Sequence, residues 1–110
     1  MVKIFQQQET WELLSSQAGV TPGSPFQISS SIADQIFLNS NYARRGAMFF
    51  NDSKYILYIN YAGPAASTSY WTKIFPQEYY EMSLPLFFGE VHGIWNKKDV
   101  AGFAMVSEFL

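Results

Sequence analysis

Along most of this chain, apolar and polar residues alternate in short runs with a period close to two. Residues 47–50 (Ala-Met-Phe-Phe) and 55–61 (Tyr-Ile-Leu-Tyr-Ile-Asn-Tyr) are rich in aromatic and β-branched side chains, the types that suit a pleated, half-buried surface. Between them stands Asn51-Asp52-Ser53-Lys54. Asn and Asp tolerate left-handed backbone and bond to their own main chain, so the stretch reads as a turn and the two runs as a β-hairpin.

The same reading gives further strands on either side. Residues 26–32 form a weak, Ser-rich candidate, and 33–39 a better one through Ile36, Phe37 and Leu38. After a loop of small residues at 62–69, strands are predicted at 70–75 and 78–83, joined at Pro76-Gln77. Proline fixes φ and removes a ladder donor there, which predicts a tight turn or a sheet corner. An apolar connection at 84–89 leads to a last hairpin, 90–95 and 100–109, around Asn96-Lys97-Lys98-Asp99. About seven or eight short strands spaced roughly 8 to 12 residues apart, with no strong helical period, predict an all-β fold, an antiparallel β-sandwich, with a small barrel as the other closure.

The period of two also assigns faces. Leu57, Ile59, Val91 and Trp95 are placed in the core, with Ile56, Tyr58, Glu90 and His92 opposite them. The last strand is apolar on both sides. Phe103, Met105 and Phe109 share one face and Val100, Ala104 and Val106 the other, as expected of a strand that is central or covered by a partner.

The first 25 residues look different. No charge occurs from residue 13 to residue 33, and Gly19, Pro22, Gly23 and Pro25 interrupt any regular element. Thr10 could cap one helical turn over Trp11-Glu12-Leu13-Leu14, although Val2, Ile4 and Phe5 suit an extended segment equally well. We therefore divide the chain into an extended N-terminal arm, 1–25, and a β-sandwich domain, 26–110. Phe5, Trp11, Leu13 and Leu14 on such an arm ask for a surface to dock on, either their own domain or a neighbour. On the second reading the arm is an assembly clasp.

Composition narrows the function. The chain has 110 residues, no cysteine, seven Lys and Arg against nine Asp and Glu, and a formal charge of −2. That excludes disulfides and thiolate metal sites, and it lacks the clustered cations that drive nucleic-acid binding. No apolar run nears the roughly 18 residues of a membrane span. The start, Met-Val-Lys-Ile-Phe-Gln-Gln-Gln, has no signal-like apolar stretch, so we expect synthesis in the cytosol. The extreme is aromatic: ten Phe, seven Tyr and three Trp. At about 200 Å² each, these rings carry on the order of 4,000 Å² of buriable surface, more than a core of this size is expected to hide. Several should lie at a protein interface, where such rings concentrate.

Catalytic chemistry is sparse. His92 is the only histidine, so a two-histidine metal site is impossible, and its position opposite the core predicts a solvent-facing ring. No nucleophile-elbow spacing accompanies the serines. Glu78, Glu81 and Glu90 read as a solvated acidic face. We expect no enzyme, no cofactor and no metal. Arg44-Arg45 before Gly46 has two readings: a carboxylate or anion clamp across an interface, or an approach to a strand in which one Arg pairs with an acid such as Asp52.

Asn41-Tyr42-Ala43-Arg44-Arg45-Gly46, Asn51-Asp52-Ser53, Leu57-Tyr58-Ile59, Gly93-Ile94-Trp95-Asn96 and the closing segment from Ala104 to Phe109 with Glu108 together resemble a group of small tailed-bacteriophage virion proteins. The resemblance covers about residues 30 to 110 and rests on the order and spacing of the motifs. Phe75-Pro76-Gln77 departs from the Ala-Pro-Gly favoured there, and 84–89 is more apolar than the pattern. The resemblance implies a non-enzymatic structural protein of the virion, made in the host bacterial cytoplasm: a capsid decoration or cement protein that stabilises the head, or else a tail or baseplate component. It also implies a homo-oligomer, a trimer or hexamer, in contact with the major capsid protein. Neither nucleic acid nor membrane is expected as a partner. The interface residues expected are Phe5, Trp11, Leu13 and Leu14 on the arm, Arg44 and Arg45, and Phe103, Met105 and Phe109. A carbohydrate-binding module, with exposed Tyr and Trp stacking on sugars, is the alternative from another class.

Overall fold

The computed structural model describes residue 21 and residues 23–82 and 84–110. The arm residues Phe5, Trp11, Leu13 and Leu14 lie outside the described residues. Eight strands occupy the predicted stretches: β1 Phe26–Ser29, β2 Gln35–Leu38, β3 Gly46–Asp52, β4 Leu57–Tyr61, β5 Thr72–Ile74, β6 Tyr79–Glu81, β7 Val91–Trp95 and β8 Phe103–Phe109. They form two four-stranded antiparallel sheets, ordered β1-β8-β3-β6 and β2-β7-β4-β5. The fold is thus the all-β sandwich that the period of two predicts.

Its pairing is nested. β1 pairs with β8, β2 with β7, β3 with β6 and β4 with β5, which is the pattern of one long hairpin ribbon. Rolling that ribbon adds β3 to β8 and β4 to β7 and closes two sheets, the construction of a jelly roll. This corrects the two predicted hairpins. β3 and β4 stand in different sheets, as do β7 and β8, so the turns after Asp52 and Trp95 are arches across the sandwich. The Pro76-Gln77 join is the predicted corner, with Gln77 at a φ of 65° as the chain passes from β5 to β6.

The core is built from the inward positions of both sheets. Ala47, Phe49 and Asn51 point inward from β3, Leu57 and Ile59 from β4, Val91, Gly93 and Trp95 from β7, and Ala104 and Val106 from β8. The four predicted core residues, Leu57, Ile59, Val91 and Trp95, are at most 1% exposed. β8 lies between β1 and β3, which accounts for its two apolar faces. Val100 falls outside the strand and is exposed. Tyr58, on the outer face, is nonetheless buried, because the Tyr70 ring packs on it at 5.1 Å.

Two local features set the packing around Trp95. A register shift in β2 between Ile36 and Leu38 turns Phe37 into the core, where its ring lies 5.8 Å from Trp95 and 6.5 Å from Phe49. Gly93 makes room for it: a Cβ there would sit 2.5 Å from the Phe37 ring. The described start of the chain runs beside β8, since Thr21 and Leu110 exchange two backbone hydrogen bonds and the Gly23 amide donates to the Glu108 carbonyl.

Trp95→Ala removes a filled indole and two hydrogen bonds from this centre, and we expect a loss of about 3 to 5 kcal/mol in denaturant unfolding. A midpoint equal to the parent's would contradict the packing described.

Candidate functional site

Each end of the sandwich is closed by a polar knot formed where an inward strand position carries a polar residue. At one end this is Asn51, fully buried at the end of β3. Its amide nitrogen donates to the carbonyls of Tyr55 and Ile74, both at 2.8 Å, and its Oδ1 lies 2.7 Å from the Ser53 hydroxyl. The Trp95 indole N–H is shared between Asn51 Oδ1 at 3.2 Å and Ser53 Oγ at 3.1 Å. Asn51 and Ser53 therefore seal the arch between the sheets.

At the other end the inward row of β8 finishes on Glu108, whose carboxylate meets Arg44 Nε at 2.7 Å. Arg44 is 1% exposed. Its remaining donors go to the carbonyls of Phe87, Gly89 and Asn39 at 2.6 to 3.0 Å. The acid that pairs with Arg44 is Glu108, not Asp52, which accepts instead from Gln77 at 3.0 Å. Arg44 therefore acts inside the fold, where it pins the connection between β6 and β7, and leaves Arg45 as the exposed member of the pair.

His92 corrects another expectation. It lies on the outer face of β7, as predicted, yet it is only 8% exposed. Asp34 Oδ2 stands 2.7 Å from Nδ1 and Glu90 Oε1 stands 3.1 Å from Nε2. Asp34 also accepts the Ala65 amide through Oδ1 at 2.8 Å, so the cluster ties the loop after β4 to β7. Burial alone would lower the His92 pKa, but the hydrogen bonds from Asp34 and Glu90 outweigh it and raise the value. Only the imidazolium can donate to both carboxylates at once. Among the described residues, no three His, Cys, Asp or Glu side chains converge to hold a metal ion.

The surface that remains is aromatic. β5 and β6 are the outer strands of their sheets, and around them Tyr70, Trp71, Phe75, Tyr79 and Leu84 are exposed, Trp71 to 62% and Tyr79 to 65%. The Arg44-held connection builds the neighbouring wall. Phe87 stacks on Tyr61 at 4.9 Å and 3°, and Tyr61 stacks on Trp71 at 4.9 Å and 19°. The Trp71 N–H donates to the Tyr80 hydroxyl at 3.2 Å. Trp71 is thus an exposed ring held in place from two directions. The Tyr61 hydroxyl is buried without a hydrogen-bond partner of good geometry, and burial, with the adjoining Tyr80 phenol, pushes its ionisation above the ordinary tyrosine range.

Two grooves run from this wall. One, of about 350 Å³, is lined by Tyr61, Trp71, Tyr80, Leu84, Leu86 and Phe87. The other, of about 490 Å³, is lined by Arg45, Glu81, Met82, Leu84, Leu86 and Phe109. Leu84 and Leu86 line both, so the two grooves adjoin along this segment at the Arg44 end of the sandwich and together are termed a trench. Of the residues expected at an interface, Arg45 and Phe109 meet in this trench. Phe103 and Met105 lie farther along β8, half-buried on the outer face of its sheet. Trp71, Tyr79 and Leu84 were not singled out from sequence; the surplus of ring area announces that exposed aromatics exist, but not which they are.

Comparison of the chain with known protein families, with curated proteins and with solved structures returns no match.

Two outcomes are expected. Arg44→Met leaves Glu108 and three carbonyls without their donor in a buried place, and unfolding should show a loss of about 3 to 5 kcal/mol. The raised His92 pKa means that its contribution to stability is full below its unfolded value, about 6.5, and is lost as pH rises through the higher folded value. The melting temperature of the parent should fall over the alkaline side of about pH 6.5, and His92→Gln should remove that part of the slope. Parallel profiles for the two proteins would overturn the assignment.

Proposed function

We propose that this chain is a non-enzymatic structural protein that works by docking through its exposed aromatic edge, and that its place of work is a tailed-phage particle. The observation that carries the reading is the division of labour in the side chains. Arg44, Asn51, Ser53 and His92 spend their hydrogen-bonding capacity inside the fold, while Tyr70, Trp71, Phe75, Tyr79 and Leu84 stand outside on two open strand edges. Exposed rings gathered along one side of the sandwich, on the edge strands of both sheets, are a feature that marks interaction surfaces. A jelly roll alone does not select a function, because the same architecture serves capsids and lectins.

The motif order at 41–46, 51–53, 93–96 and 108 supports the phage assignment, and within it the capsid decoration or cement role is favoured over a tail or baseplate role. The partners on this reading are further copies of the chain, as a trimer or hexamer, and the major capsid protein. The fixed Trp71 ring would also suit sugar stacking. Sugar sites, however, surround such a ring with polar groups. Here Ala62, Leu84, Pro85, Leu86 and Phe87 bring no polar side-chain atom, the Tyr61 hydroxyl is buried, and the Tyr80 hydroxyl already accepts from Trp71. A protein partner fits this lining better.

Antibody labelling of purified particles should place the chain on phage heads. Label on tails would favour the baseplate alternative, and particles without label would refute the virion assignment. Replacing both Trp71 and Tyr79 by Ala should keep a cooperative unfolding transition, lowered only modestly by loss of the Tyr61 stack and the Tyr80 hydrogen bond, and weaken particle binding by about tenfold or more. Binding on a glycan array would overturn the choice of a protein partner.

A further inference from the structure

We infer that the apolar trench at the Arg44 end receives residues 5–14 of a neighbouring copy of this chain. The inference rests on the assembly reading above and names the partner for one surface of it. The trench is nearly neutral at its rim, with Arg45 and Glu81 on the same groove; Met82 is buried beneath it, Leu86 and Phe109 line its walls half-buried, and Leu84 stands exposed at its edge. Residues 1–20 carry only Lys3, Glu9 and Glu12 as charges, with Phe5, Trp11, Leu13 and Leu14 as large apolar side chains. Apolar anchors entering an apolar groove in this way gain from burial without stranding a charge.

The place where the described chain begins gives the direction. Thr21 is held to Leu110 by two backbone hydrogen bonds, one residue beyond Phe109 of the trench wall. Running antiparallel to β8, the chain leaves past the end of that strand, at the same end of the sandwich that holds the trench. Its own trench is within about one to three strand spacings of this point, or roughly 5 to 15 Å. The apolar side chains come farther out, after the small and polar residues 15–19, Ser-Ser-Gln-Ala-Gly. Leu14 is seven residues from Thr21 and Phe5 sixteen, spans of up to about 25 and 55 Å. A spacer of that length can carry Leu14 to Phe5 beyond the chain's own trench and lets them enter the trench of a second copy that faces the same end.

The absence of cysteine from the sequence permits a direct test on the full chain. Leu14→Cys and Leu84→Cys each introduce one thiol, the second at a side chain 81% exposed, and each single variant is first checked to unfold like the parent. Differently tagged preparations of the two single variants are mixed and oxidised. The expected result is a mixed disulfide dimer at about tenfold the yield obtained when Lys54→Cys, at the Asn51 end, replaces Leu84→Cys, because docking raises the effective concentration of one thiol at the other. Trp71→Ala added to the Leu84→Cys chain should lower that yield. A link that forms only within single molecules of the Leu14→Cys, Leu84→Cys double variant would show that the chain fills its own trench and overturn the proposal. No link above the control would overturn it as well. Light scattering on the same samples separates the two levels: oligomers without the link leave the assembly reading in place and remove this contact, whereas monomers without the link count against both.

Discussion

The rest of the fold depends on how the chain crosses from one sheet to the other without leaving polar backbone stranded. In the nested pairing, only β4 and β5 are both consecutive in the chain and neighbours in a sheet, so nearly every connection is a crossing. Asn51 shows what a crossing demands. The strand position points inward, where the period calls for an apolar side chain, yet the arch brings the carbonyls of Tyr55 and Ile74 to that point. A buried carbonyl without a donor costs about 1 to 3 kcal/mol, more than a hydrogen bond usually contributes in net terms. One amide satisfies both carbonyls and still accepts from Ser53 and Trp95. An aliphatic residue of the same volume would fill the space but take the amide donor from the Ile74 carbonyl and leave the Tyr55 carbonyl to the Ser53 hydroxyl alone.

Strand positions were legible because each run announces itself by alternation and by the residues that end it. Partners were not, since alternation fixes the face of a strand and says nothing of its neighbour. Asn51-Asp52-Ser53-Lys54 has the same local chemistry whether it closes a hairpin or spans an arch. Only Trp95, 44 residues away and bonded to Asn51 and Ser53, decides between them. Distance in sequence hid the ion pair too: Arg44 is 64 residues from Glu108, and Asp52 was the nearer acid. His92 was assigned to the correct face. Its burial depends on Asp34, 58 residues earlier, and no local pattern signals that.

Seen in the fold, the motifs that give the resemblance are instructions for closure. Arg44 binds Glu108 and holds the β6–β7 connection, Asn51 and Ser53 hold Trp95, Gly93 clears space for Phe37, and the Asn96 side chain accepts the Ile56 amide at 3.1 Å. The residues proposed for docking, the rings of Tyr70, Trp71, Phe75 and Tyr79 together with Leu84, fall between the motifs. Closure and contact are thus written in different residues, so the edge can be recomposed for a different partner while the two knots keep the sandwich shut.

The open edges explain why the exposed rings do not stand alone. A bare, flat, apolar strand edge is a template for uncontrolled pairing. Here β5 and β6 are only three residues each, too short to recruit a long strand. Lys73 lies 5.8 Å over the Tyr70 ring and 5.7 Å over Phe75, covering both with charge, and Glu78 and Glu81 stand exposed beside Tyr79. Backbone pairing is discouraged by brevity and charge, and the ring faces are left as the attractive feature. Such an edge favours a partner that brings complementary side chains over one that offers only a strand.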